Sequence, residues 1–129
     1  MTVYLDSSVA LADLLSDDRR SSPDLWDQEL TSSRLLEYEI WNRVNTRGLG
    51  RSHAAEVSTL LEKVTLLDLT PHVLRRALRP FPVSVRTLDG LHLATIEYLN
   101  GEGESIELAT FDTRMIIAAR ALGIAIYQP

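Results

Sequence analysis

The 129-residue sequence contains no cysteine and a single lysine, Lys63. The first absence removes disulfide frameworks, thiolate zinc sites and cysteine nucleophiles together, and suits a reducing compartment. Any metal chemistry then falls to carboxylates, with three histidines in support. No apolar run approaches membrane-spanning length, and no basic segment separates Met1 from the first strand, so a soluble, cytoplasmic protein is expected. Positive charge is not in excess either. Thirteen Lys and Arg stand against 18 Asp and Glu, a net charge of −5, which argues against a protein that coats nucleic acid through bulk charge. A nuclease is still compatible with that balance, because bound divalent cations reverse the field of a local acidic cluster. Arginine among the basic residues suits planar phosphate recognition, but genomic base composition accounts for it more simply.

What is present suits one domain over residues 1–129, long enough to bury about two thirds of its unfolded surface. Strand-like and helix-like runs alternate, the pattern of a parallel sheet with helices packed on it. Strands are predicted at 3–5, 31–33, 64–69, 106–111 and 124–127. Helices are predicted at 9–15, from the Ser22-Pro23 start signal to residue 30, at 34–47, 52–63, 70–79 and 87–99, and at 112–122 before Gly123. The polar run 100–104 reads as a loop.

In such a sheet, ligands bind beyond the carboxyl ends of the strands, where the strand order reverses. Asp6 follows the first strand and Asp112 the fourth, while Asp89 lies in the first turn of its helix. One turn into the helix after the second strand stand Glu37 and Glu39, and periodicity does not choose between them. Any one of the aspartates is explained as a helix cap or first-turn acid, stabilising by about 0.3–1 kcal/mol. Caps do not require aspartate each time, since Ser, Thr and Asn serve as well. Carboxylates gathered at one rim repel by about 4 kcal/mol per pair at 4 Å and an effective dielectric near 20. Such a cluster calls for protons or for oxygen-ligated Mg²⁺ or Mn²⁺.

The segments VYLDSSVAL, SSRLLEYE, RTLDGLHLAT and LATFDTRMIIAARALGI, in that order, resemble the four acidic motifs of the PIN-domain ribonucleases, most closely the VapC toxins of VapBC toxin–antitoxin modules. The resemblance covers nearly the whole chain. It implies a three-layer α/β/α sandwich around a parallel five-stranded sheet, a divalent-metal endoribonuclease, and a homodimer held inactive by a small VapB-like antitoxin. The family's catalytic and metal-binding acids fall on Asp6, Glu39, Asp89 and Asp112. Glu39 is chosen over Glu37 because the family spaces its glutamate six residues after the serine that matches Ser33. Ser8 matches a family hydroxyl near the metal, and Thr110 stands two residues before Asp112. Gly90 departs from the family's usual alanine and lowers helix propensity by up to about 1 kcal/mol.

The chemistry implied is hydrolysis of RNA, transfer or ribosomal, with Mg²⁺ as cofactor and Mn²⁺ as a substitute. Arg86 and Arg114, close in sequence to two acids, are candidate RNA contacts. His92, one turn from Asp89, supports that carboxylate or is a satisfied core residue. Trp26, Tyr38 and Trp41 on the early helices belong either to the core or, as the resemblance implies, to a surface that receives the antitoxin. Competing folds fit less well: DSSV lacks a glycine-rich turn, Ser8 stands where a haloacid-dehalogenase-like phosphatase needs a second Asp, and Lys63 is far from the final strand where a receiver domain needs lysine. The alternative reading is a solitary PIN nuclease, or an RNA-binding module without a cognate antitoxin.

Overall fold

Period-2 alternation in the first strand divides the core. In a computed structural model that describes residues 2–16 and 19–129, Val3 and Leu5 of β1 (Thr2–Leu5) face one apolar cluster and Tyr4 the opposite one. All three side chains are fully buried, as befits a central strand covered on both faces.

The sheet is wholly parallel, with β2 (Glu29–Ser33), β3 (Val64–Leu67), β4 (Ile106–Ala109) and β5 (Ala125–Tyr127) in the order β3-β2-β1-β4-β5. One face is covered by α1 (Ser7–Leu14), α2 (Leu35–Thr46) and α3 (Ala54–Glu62), which contribute Val9, the Leu36, Ile40, Val44 stripe, and Val57. The other carries α5 (Thr87–Gly101) and α6 (Thr113–Ala121) through Leu93, Ile96, Met115 and Ala118. The short α4 (Pro71–Ala77), capped by Thr70, packs on α5. Each fully buried Leu, Val or Ile contributes roughly 1.5–3 kcal/mol. This is the three-layer sandwich expected. Gly48 and Gly123, at φ 70° and 75°, close α2 and α6 in the left-handed conformation that glycine adopts without steric cost.

Most boundaries shift from the sequence reading by one or two residues, and two differences bear on the fold. The helix predicted from Pro23 to residue 30 is a 3-10 helix that ends at Asp27, and Leu30 belongs to β2, buried opposite Val3 and Val64. Sheet pairing on both sides outweighs helix continuation there. The predicted loop 100–104 begins later, because α5 runs on to Gly101 while Asn100 Oδ1 accepts from Ile106 N at 2.8 Å and ties the helix end to β4. The weakly patterned β2 holds its place through its hydroxyls: Ser32 Oγ donates to Leu5 O at 2.9 Å and Thr31 Oγ1 to Thr65 O at 3.0 Å.

Candidate active site

The strand order reverses between β1 and β4, which pair directly, and Asp6 N donates to Ala109 O at 3.0 Å just past their ends. Asp6 is therefore fixed by the sheet before its side chain makes any contact. It is nearly buried, 5% exposed, and its Oδ2 accepts from Ser8 Oγ at 2.6 Å, Thr110 Oγ1 at 2.7 Å and Ser8 N at 3.4 Å. Oδ1 has no protein partner among the described residues. Capping and site-building thus coincide: Asp6 caps α1, and Asp112 caps α6 by accepting from Arg114 N at 2.9 Å. Thr110 joins the two acids, since its Oγ1 also accepts from Asp112 N at 3.0 Å.

Glu39 reaches the rim from α2. Its Oε2 accepts from Ser7 Oγ at 3.3 Å and its Oε1 lies 2.5 Å from His92 Nε2, whereas Glu37 is exposed on another side of the helix. His92 is completely buried, and its Nδ1 is 2.6 Å from the Tyr4 hydroxyl. Burial opposes a charge on this ring, but Tyr4 and Glu39 outweigh it and hold its pKa well above the ordinary histidine value.

Asp89 is half-buried in the first turn of α5. Partial burial, then the negative charges of Asp6 and Asp112, with a smaller contribution from Glu39 and against the opposing influence of His92, raise its pKa from 3.8 to about 6. The other three predicted acids therefore all act on Asp89, at a single rim. Beside them a cleft of about 290 Å³ is lined by Ser84, Arg86, Asp89 and Arg114, so both predicted arginines share a cavity with Asp89. Among the described residues no three Asp, Glu or His side chains close into a ready-made cation cage. The donor set nonetheless suits a hard divalent cation: oxygen only, several negative charges, and one Asp6 oxygen free.

Sequence reasoning left His92 as a support for Asp89 or, preferably, a satisfied core residue; the structure buries it fully with both ring nitrogens partnered and turns its Nε2 to Glu39. It also passed over Tyr4 and Ser7. A tyrosine among the apolar residues of a central strand was the available signal, because a buried phenol needs a partner for its hydroxyl. Of the aromatic residues predicted to meet an antitoxin, Trp26 and Trp41 are partly buried against the α1–α3 core, and Tyr38 is 59% exposed. Trp26 Nε1 donates to Asp13 Oδ2 and Ser21 Oγ, both at 2.9 Å, and its ring lies 5.6 Å from Lys63 Nζ. It walls a separate groove of about 380 Å³ together with Leu14, Ala55, Thr59 and Leu60.

Residues 3–121 match the family described as PIN domain. The chain is also 29% identical, over 135 aligned positions, to the protein named Ribonuclease VapC46 from Mycobacterium tuberculosis (strain ATCC 25618 / H37Rv), an alignment that covers 98% of this chain and 97% of that one.

Proposed function

The chain belongs to the PIN domain family, and from that premise we propose that it is a Mg²⁺-dependent endoribonuclease, the toxin of a type II toxin–antitoxin pair. The observation that carries the proposal is the convergence of Asp6, Glu39, Asp89 and Asp112 at one rim beside an arginine-lined cleft, where burial first and then the neighbouring carboxylates raise the pKa of Asp89. The relative named as a VapC ribonuclease supports it across nearly the whole of both chains.

In this proposal Asp6 and Asp89 hold the cation, Mg²⁺ or Mn²⁺, with Glu39 and Asp112 binding it directly or through water. When bound, it supplies Lewis acidity at the scissile phosphate and lowers the pKa of water. The remaining work falls to the chain itself. Ser8 and Thr110 occupy Asp6 Oδ2 and leave Oδ1 to ligate. Arg86 and Arg114 neutralise and orient the phosphate within the cleft. Glu39 or Asp112 orients the attacking water; its oxygen bonds to phosphorus as the bond to the leaving ribose oxygen breaks, and that oxygen ends protonated.

The proposed substrate is a looped region of transfer or ribosomal RNA, met by a homodimer of single-domain protomers in the cytoplasm. Among the described residues no helix is long and apolar enough to cross a membrane. A VapB-like antitoxin covers the groove at Trp26, whose apolar walls suit an amphipathic helix.

Cleavage of structured RNA by the purified protein in Mg²⁺ and in Mn²⁺ tests the reading. Asp6→Asn and Asp89→Asn are expected to fold and to lose cleavage. Full cleavage in excess EDTA would overturn the metal requirement, and wild-type rates in both variants would overturn the site.

A further inference from the structure

Glu39 is held from two sides, and one of its anchors reaches into the core. The Ser33 main-chain N–H can only donate, so the Tyr4 oxygen accepts from it, at 3.1 Å. The same hydroxyl lies 2.6 Å from His92 Nδ1, and Nε2 of that ring lies 2.5 Å from Glu39 Oε1. An ionised carboxylate only accepts, so Nε2 carries a proton in the neutral ring and in the imidazolium alike. In the neutral ring Nδ1 is bare and accepts from the Tyr4 O–H, with Ser33 Oγ also 3.4 Å away; in the imidazolium Nδ1–H donates to the Tyr4 oxygen instead, and in both forms Nε2–H faces Glu39.

The surroundings make this chain stiff. Tyr4 and His92 are both fully buried and meet edge to face, with centroids 5.6 Å apart at 77°. Leu93, Ile96 and Leu108 pack in the same layer as Tyr4, so neither ring turns without disturbing close-packed neighbours. The link also joins helices that cover opposite faces of the sheet, because Glu39 is on α2 and His92 on α5.

Resting on the nuclease reading of the rim, we propose that His92 is a positioning residue for Glu39: Tyr4, pinned to β2 at Ser33, sets the imidazole so that its Nε2–H fixes the carboxylate relative to Asp6 and Asp89. Through this arrangement the main chain of the central sheet orients an acid of the site. Partners of this kind, one bond removed from a metal ligand, typically change activity or metal affinity by about 10- to 100-fold when lost.

The sequence has only three histidines, His53, His72 and His92, so ¹⁵N-histidine spectra are readily assigned. A solvent-protected proton on His92 Nε2 is expected, and faster exchange of that proton in Tyr4→Phe; a bare Nε2 would overturn the proposal. Gln carries its amide nitrogen near the position of Nε2, whereas the amide nitrogen of Asn stands near Nδ1 and falls short of Glu39. His92→Asn is therefore expected to lower kcat about 10- to 100-fold with KM for RNA little changed, and His92→Gln to recover most of it. Equal kcat in both folded variants and the wild type would overturn the proposal. Should His92→Asn fail to fold, Tyr4→Phe replaces it, with a smaller loss of kcat expected and an unchanged kcat counting against. Should the wild type cut no RNA, the nuclease reading fails separately, and Mn²⁺ affinity measured by electron paramagnetic resonance decides on His92: weaker binding in His92→Asn supports positioning, and unchanged binding refutes it.

Discussion

The hydroxyls of Ser8 and Thr110, 102 positions apart in the sequence, meet at 3.2 Å over a single oxygen of Asp6. Hydrogen bonds to an ionised group contribute about 1.5–3 kcal/mol each, so Thr110→Val is expected to lower the unfolding free energy by an amount in that range and to reduce RNA cleavage. Thr110→Ser restores the hydroxyl and most of both. Urea titration alongside cleavage assays would reveal the opposite result, a Val variant as stable and active as the wild type.

Asp89 ties stability to pH in a definite direction. Its carboxyl titrates near 6 in the folded protein and near 3.8 in the unfolded chain, so between those values the folded state holds the extra proton and stability falls as pH rises. Above about 6 that loss is complete. In EDTA at pH 7, Asp89→Asn should therefore melt higher than the wild type, with the gap narrowing as pH is lowered through 6 toward 3.8. A gap that is constant or widens toward acid would contradict the crowding of acids around Asp89.

Arg86 and Arg114 line the cleft with Asp89 but are themselves exposed, so their removal should leave the fold alone. Each Arg→Ala change is expected to raise KM for RNA with kcat nearly unchanged, and to flatten the salt dependence of log KM by about 0.7–0.9 per charge. A fall in kcat without a change in salt slope would assign them a role other than phosphate contact.

Expression of the wild type alone is expected to arrest bacterial growth, and Asp89→Asn to abolish the arrest. Trp26 anchors the groove wall, and aromatic anchors of interfaces commonly contribute about 2 kcal/mol or more. A folded Trp26→Ala toxin should then escape a co-expressed antitoxin that neutralises the wild type. If that antitoxin still neutralises it, the partner sits elsewhere.

Gly90 is buried in α5, and a Cβ placed there would meet Phe81 and Val85 at 3.4 Å, an ordinary contact distance. Gly90→Ala should accordingly stabilise the protein by up to about 1 kcal/mol through helix propensity alone, one position from Asp89. A lower melting temperature would show that the packing between Phe81 and α5 has no slack.

The sequence was most legible where one physical signal dominated. Asp6 and Asp112 end apolar strands and could be placed at a sheet rim from that alone, and both also serve as the caps that local chemistry predicts. Leu30 was misread because Pro23 and Ser22 announce a helix start, while the pairing that pulls Leu30 into β2 comes from residues distant in the chain. The direction of His92 was hidden for the same reason. Helical spacing points it at Asp89 on its own helix, and only the packing of α2 across the rim supplies Glu39. Periodicity left Glu37 and Glu39 level; Ser7 and His92, both remote in sequence, distinguish them.

The strand order also fixes when the rim comes into being. β1 precedes β2 and β4 in the chain yet lies between them in the sheet, and Asp6 must wait for Thr110, 104 residues later, to complete its shell. A chain still emerging from the ribosome carries Asp6, Glu39 and Asp89 without the strand that closes the site. Contacts of such long range form slowly and late. The rim of this topology is therefore assembled only once β4 has been made and paired with β1.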